Sequence, residues 1–181
     1  MHNPGMSFFD RLFGREDRPE ADSAGDTETV RKIVGRLEAL PVERARFVAA
    51  FAYVLSRVAH ADLDISAEET ERMEELVRRH GELPEEQAVL VVEIAKAQNR
   101  LFGETEDFLV TREFAGITAE EERRELLHAA LSVAAADGVI SSQEESRVKQ
   151  IASELGFSHA DYVEALAEWR DHRSVLKKRQ R

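Results

Sequence analysis

A shift of 75 residues lays this chain on itself without a gap. Asp62 falls on Asp137, Ile65 on Ile140, Ser66 on Ser141, Glu69 on Glu144, Arg72 on Arg147 and Gly81 on Gly156. Val58, Ala59 and Ala61 fall on Val133, Ala134 and Ala136, so 9 of the 24 positions from Val58 to Gly81 are identical. The register continues upstream, where Ile33 and Val34 fall on Phe108 and Leu109. A repeat of this length is one supersecondary unit that buries its apolar face against its neighbour. The two units are therefore expected to pack face to face around one core.

Each unit reads as helices. Apolar residues recur at three and four, strand-like alternation is absent, and the chain holds only 9 Gly and 4 Pro. The pattern predicts helices near 28–39, 42–61, 67–80 and 85–100, then near 104–114, 119–136, 142–155 and 159–176. Pro41 and Pro84 stand at helix starts, where a missing N–H costs nothing. Gly81 and Gly156 stand where a left-handed C-cap belongs. Thr118 with Glu121 has capping-box spacing. Phe47, Ala50, Phe51, Val54, Leu55, Val58 and Ala61 form one apolar stripe, and Leu127, Ala130, Leu131 and Ala134 another. The run of alanines at 129, 130 and 134–136 points to a close helix crossing. The expected architecture is all-α, a single helical domain of two pseudo-symmetric four-helix repeats, residues 28–101 and 102–176. Residues 1–27 are expected to stand outside it, as a polar, disordered stretch behind a short amphipathic segment. Residues 177–181 form a basic tail, read as the cationic end of the last helix.

Charge narrows the partners. The net charge is -11, and nucleic-acid binding needs a basic face to neutralise phosphate. Cys is absent, which removes disulfides and thiolate metal sites. No apolar run reaches the roughly 18 residues of a membrane span, and the N-terminus lacks a signal-peptide pattern. The expected location is the cytoplasm, with peripheral contact at the inner membrane.

The repeated segment that carries chemistry is acidic. "DGVISSQE" (137–144) matches the second half of a calcium-binding EF-hand loop, with an oxygen donor, Gly, a small apolar residue and a final Glu. The first half does not match: the leading ligand positions would be Val133 and Ala135 here, and Val58 and His60 in the other unit. Two readings remain. Ser66 with Glu69, and Ser141 with Glu144, have capping-box spacing, so each Glu can reach back to its N-cap N–H. Asp62 and Asp137 can accept backbone N–H bonds within a turn. Yet each turn also gathers further carboxylates at Asp64, Glu68 and Glu145, and a divalent ion would relieve their repulsion and the helix-end penalty. Oxygen-only donors favour Ca²⁺, Mg²⁺ or Mn²⁺, held weakly.

"AAADGVISSQEE" and its echo "AHADLDISAEE" resemble the TerB-like domain of bacterial tellurite-resistance operons, found also in the N-terminal part of a membrane-anchored J-domain co-chaperone. The resemblance covers residues 28–176 and rests on A-D-G-x-I-x-x-x-E. It implies an all-α fold with pseudo-twofold symmetry, an acidic cluster that binds a metal or a partner, and no catalytic activity. By position it singles out Asp137, Gly138 and Glu144, with Asp62 and Glu69. The first unit departs by having Leu63 in place of Gly, and an extra Asp64. If the turn needs positive φ, Leu63 is strained and the first loop should take another shape, leaving the second as the better metal site.

Enzyme constellations are missing: there is no nucleophile elbow, phosphate loop or H-E-x-x-H. "ELLH" (125–128) has the Glu-x-x-His spacing of di-iron bundles, but its repeat partner, residues 50–53, is Ala-Phe-Ala-Tyr. "SFFDRLFG" places Phe8, Phe9, Leu12 and Phe13 at helical spacing, fit for docking on a membrane or a partner, or for packing on its own domain. The expected function is a non-enzymatic TerB-like module, in tellurite resistance or envelope stress, that binds a divalent cation (metal ligands Asp62, Asp64, Glu69, Asp137 and Glu144), a protein partner such as an inner-membrane protein, or both. The competing expectation is a membrane-associated adaptor whose acidic face meets a basic partner without metal.

Overall fold

Pro41, with φ -52° and ψ 140°, starts the first described helix, α1 (Val42–Ala59). In a computed structural model of the chain, residues 40–173 are described. They form α1, α2 (Ala67–Gly81), α3 (Glu85–Ile117), α4 (Glu120–Ala134), α5 (Ser142–Glu154), α6 (His159–Ala167) and a 3₁₀ turn (Arg170–His172). The fold is all-α. Among the described residues there is no strand, only an isolated bridge between Ile140 and Arg173. The expected helix over 28–39, the segment 1–27 with Phe8, Phe9, Leu12 and Phe13, and the tail 177–181 lie outside the described residues.

α1 is the centre of the molecule. It packs against α2, α3, α4 and α5, and every residue from Val48 to Val58 is buried. The sequence pattern read one apolar stripe there. The structure buries all sides, as expected of a helix enclosed by others. Ala49, Ala50 and Ala52 keep those sides thin enough for four neighbours. α4 is the second core helix, with Leu126, Leu127 and residues 129–134 all buried.

Three boundaries differ from the sequence expectation. The helices read at 85–100 and 104–114 are one helix of 33 residues, about 50 Å long. Gly103 does not break it. Its missing side chain makes room for Asn99, whose amide donates to Asp107 Oδ1 at 2.9 Å; a Cβ on Gly103 would meet Asn99 Nδ2 at 3.2 Å. Thr118 does not form the expected box with Glu121. Its hydroxyl donates to Phe114 O at 2.6 Å, and the Ala119 N–H is capped by Glu122 Oε2 at 2.9 Å. The last described helix ends at Ala167 rather than 176 and is followed by a 3₁₀ turn.

The expected glycine caps are half right. Gly156 takes φ +89° after α5, as predicted, but Gly81 is the last residue of α2 and the left-handed residue is Glu82, φ 53°. Gly81 serves packing: a Cβ there would lie 3.0 Å from Leu83 Cγ. The long helix and the two repeats are joined by a buried polar hub that the apolar pattern did not reveal. Arg57, 0% exposed, lies 3.3 Å from Asp107 Oδ2 and 2.5 Å from Glu154 Oε2, and donates to Thr111 and to Asp107 O. It ties α1 to α3 and α5.

Candidate functional site

Each repeat carries the same local path. α1 ends at Ala59 and α4 at Ala134; a short turn follows, then a Ser-capped helix. In the first turn Asp62 Oδ1 accepts the N–H of Asp64 at 3.3 Å; in the second, Asp137 Oδ1 accepts the N–H of Val139 at 2.9 Å. Each aspartate thus closes a turn two residues long, which is what Asp does where chains reverse. The carboxylate near the helix end is there to hold the next turn's backbone. Ile140 is fully buried beside its turn, and Ile65 is half-buried against the same core.

Leu63 has φ 71° and Gly138 φ 91°. The expectation that Leu63 would force a different loop is corrected: both turns use positive φ, and Leu63 accepts the strain with its side chain 89% exposed.

Beyond the turns, both capping boxes are complete. The Ser66 N–H donates to Glu69 Oε2 at 2.7 Å and the Glu69 N–H to Ser66 Oγ at 3.1 Å. The Ser141 N–H donates to Glu144 Oε2 at 2.7 Å and the Glu144 N–H to Ser141 Oγ at 3.2 Å. A capping box on an ordinary surface helix leaves its Glu in water. Here both glutamates are 4% exposed, and their carboxyls lie within hydrogen-bonding reach of each other. Burial, followed by the neighbouring carboxyl, pushes Glu144 up to about 7. Burial also raises Glu69, to which the charge of Asp62 adds. Glu69 Oε1 is buried with no donor. Two ionised carboxylates cannot donate to each other, so the pair is incomplete without a proton or a cation.

A family model described as "Tellurite resistance protein TerB" matches residues 48–167, most of the chain. The chain belongs to the TerB family. No curated protein and no solved structure matches it. The matched span of this TerB domain runs from α1 into α6 and contains both turns, both capping boxes and the glutamate pair.

The sequence-predicted acidic residues separate into two groups in the TerB domain. Glu69 from one repeat and Glu144 from the other come together and are buried. Asp62, Asp64 and Asp137 stay exposed on the turns, with Asp62 close enough to Glu69 to act on its charge. Glu145 turns away, held by Arg173 at 2.6 and 2.9 Å. Among the described residues no cluster of three or more His, Asp or Glu side chains forms a closed metal cage. What the pair does offer is a buried Glu69 oxygen without a hydrogen-bond partner and a second buried carboxylate within reach. Spacing within one loop could not show this meeting, because the partners are 75 residues apart; the internal repeat was the signal that contained it. The Glu125–His128 motif does not assemble a site: Glu125 turns to His80 at 3.5 Å and His128 to Glu168 at 3.6 Å.

Proposed function

We propose that this TerB domain is a non-catalytic binding module whose glutamate pair, Glu69 with Glu144, takes up a hard divalent cation, Ca²⁺, Mg²⁺ or Mn²⁺. The observation that carries this reading is the buried Glu69 oxygen without a donor, set against a second buried carboxylate. The cation replaces the proton the pair otherwise needs, and its charge offsets two carboxylates inside one protein surface. Because each repeat gives one glutamate, the site is single and shared rather than two independent loops. With two protein carboxylates the affinity is weak, on the order of 10⁻⁴–10⁻³ M. Asp62 contributes field, and Asp137 and Asp64 shape the turns. The cation joins the starts of α2 and α5, so its role is to fix the two turns relative to each other and to present their acidic rim to a protein partner in tellurite resistance or envelope stress, at the cytoplasmic side of the inner membrane. The segment with Phe8, Phe9, Leu12 and Phe13 would supply the membrane or partner contact.

A Mn²⁺ titration followed by amide NMR tests the reading. Paramagnetic broadening should appear first at residues 66–69 and 141–144, saturate, and be displaced by Mg²⁺ or Ca²⁺. Glu144→Gln and Glu69→Gln keep the capping box, since Gln completes it equally, and each should abolish the effect. Broadening spread over all exposed acids, or none at millimolar Mn²⁺, would remove the metal. The adaptor reading would then remain. It is favoured by a cleft of about 560 Å³ in which Glu68 and Glu71 stand beside Ala136 and Trp169, with Glu75 paired to Arg72, a fit for a basic, apolar-bearing partner.

A further inference from the structure

On the outer side of α5, away from the glutamate pair, lies a cleft of about 620 Å³ walled by α6 and the 3₁₀ turn. Its lining is more basic than the chain as a whole. The chain carries 36 acidic and 25 basic residues, yet this cleft is lined by Lys149, Arg170 and Arg173 against one carboxylate, Glu145. That carboxylate is already committed, since Arg173 holds it through two hydrogen bonds at 2.6 and 2.9 Å. Lys149 and Arg170 form no ion pair among the described residues, and neither do the Ser142 and Ser146 hydroxyls form hydrogen bonds. Opposite them stands an apolar wall, with Val163 48% exposed above the buried Tyr162 and Leu166.

The cations are held in place. The Ile140 N–H donates to His172 O at 2.8 Å, and the Arg173–Glu145 clamp closes from the same side. Together they pin the 3₁₀ turn that carries Arg170. The Tyr162 hydroxyl donates to Glu145 O at 3.2 Å, which joins α6 to the first turn of α5. Arg170 therefore stands on a braced edge, with Lys149 one helical turn beyond Glu145.

We propose that the cleft between α5 and α6 binds an acidic peptide segment of a partner protein, its carboxylates on Lys149 and Arg170 and an aliphatic or aromatic side chain against Val163. Charge complementarity selects an anion, and guanidinium and ammonium groups with free hydroxyls suit carboxylates. Concavity selects a peptide over a membrane: Tyr162 and Leu166 lie at the floor of the cleft, out of reach of a flat bilayer, and the volume suits a few side chains. This surface is separate from the glutamate pair and does not depend on a cation there.

Fluorescence anisotropy on the full-length protein in EDTA tests the proposal. The probe is a fluorescein-labelled octapeptide in which Phe and Leu alternate with Asp and Glu. Binding should saturate and weaken with added salt. Lys149→Glu, Arg170→Glu and Val163→Asp should each weaken it by about fivefold or more. Arg112→Glu, an exposed charge reversal on α3, should leave it unchanged. Thermal melts of each variant separate lost binding from lost folding; all the substituted cleft positions are exposed. The proposal is overturned if no saturable binding appears up to about 1 mM peptide, or if Arg112→Glu weakens binding as much as the cleft variants. It is also overturned if a peptide with Lys in place of the acids binds equally, or if phosphatidylserine vesicles bind through Lys149 and Arg170 while the peptide does not.

Discussion

Replacing Glu144 with Gln should stabilise this protein above neutral pH, although it removes a buried residue's native side chain. Glu144 ionises only when its pKa of about 7 is passed, against an ordinary value of 4.5. At 1.36 kcal/mol for each tenfold change, the rise from 4.5 to about 7 amounts to about 3.4 kcal/mol, which solvent screening reduces to about 2–3 kcal/mol as the cost of the ionised pair at pH 8 without a cation. The sign follows from proton uptake. The folded state holds a proton that the unfolded chain has lost between 4.5 and about 7, so stability falls as pH rises through that window and then levels. The glutamine of the variant has no proton to lose. Its carbonyl can accept the Ser141 N–H, as the carboxylate does at 2.7 Å, and its amide can donate to the orphaned Glu69 Oε1.

In thermal melts with EDTA, Glu144→Gln should therefore exceed wild type by about 5–10 °C at pH 8, at about 2–4 °C per kcal/mol for a chain of this size. The advantage should vanish near pH 4.5. Millimolar Mg²⁺ or Ca²⁺ should raise the wild-type Tm at pH 8 and leave the variant unmoved. A variant less stable than wild type at pH 8, or a wild-type Tm flat from pH 5 to 8, would refute the shared-proton account of the pair.

Leu63→Gly should stabilise by about 0.5–1 kcal/mol, because it relieves a left-handed residue whose exposed side chain packs on nothing, less the added freedom of Gly in the unfolded chain; chemical denaturation measures it, and a loss would mean that the turn is unstrained. Arg57→Met should cost about 3–5 kcal/mol by leaving Glu154 buried without its cation, and adding Glu154→Gln should recover part of that; unfolding curves of the two variants decide. Ala134→Asp places an unpaired charge at a position 1% exposed and should lower stability by more than about 3 kcal/mol, while an unchanged Tm would take Ala134 out of the core. Deleting residues 1–27 should leave the melting transition intact and weaken co-sedimentation with membranes or with a partner; an unfolded product would make that segment part of the core.

The helices were legible because their apolar residues recur with helical period, and the caps because Ser66 and Ser141 each precede a Glu by three. What stayed hidden has a common physical origin. A single glycine usually marks an ending, yet at 103 the helix continues because Asn99 and Asp107 bridge across the gap it leaves. Arg57 stands inside an apolar run without any sequence sign of its role, and three partners from α3 and α5 meet it inside. Both cases depend on atoms distant in sequence, which periodicity does not report. The glutamate pair lies between these extremes. Each Glu alone reads as a capping residue, and the structure confirms that role to the hydrogen bond. The repeat relates the two caps, and only the fold brings them to one place. A cap needs one accepting oxygen; each carboxylate has two. The oxygen left over on Glu69 has no structural task in the cap, and the burial that strands it makes an ionised pair costly. A surface cap pays no such penalty and can be Gln or Glu alike, so the distinction between a cap and a binding site here rests on that second oxygen, and on whether the pair still titrates near neutral pH once a divalent cation is present.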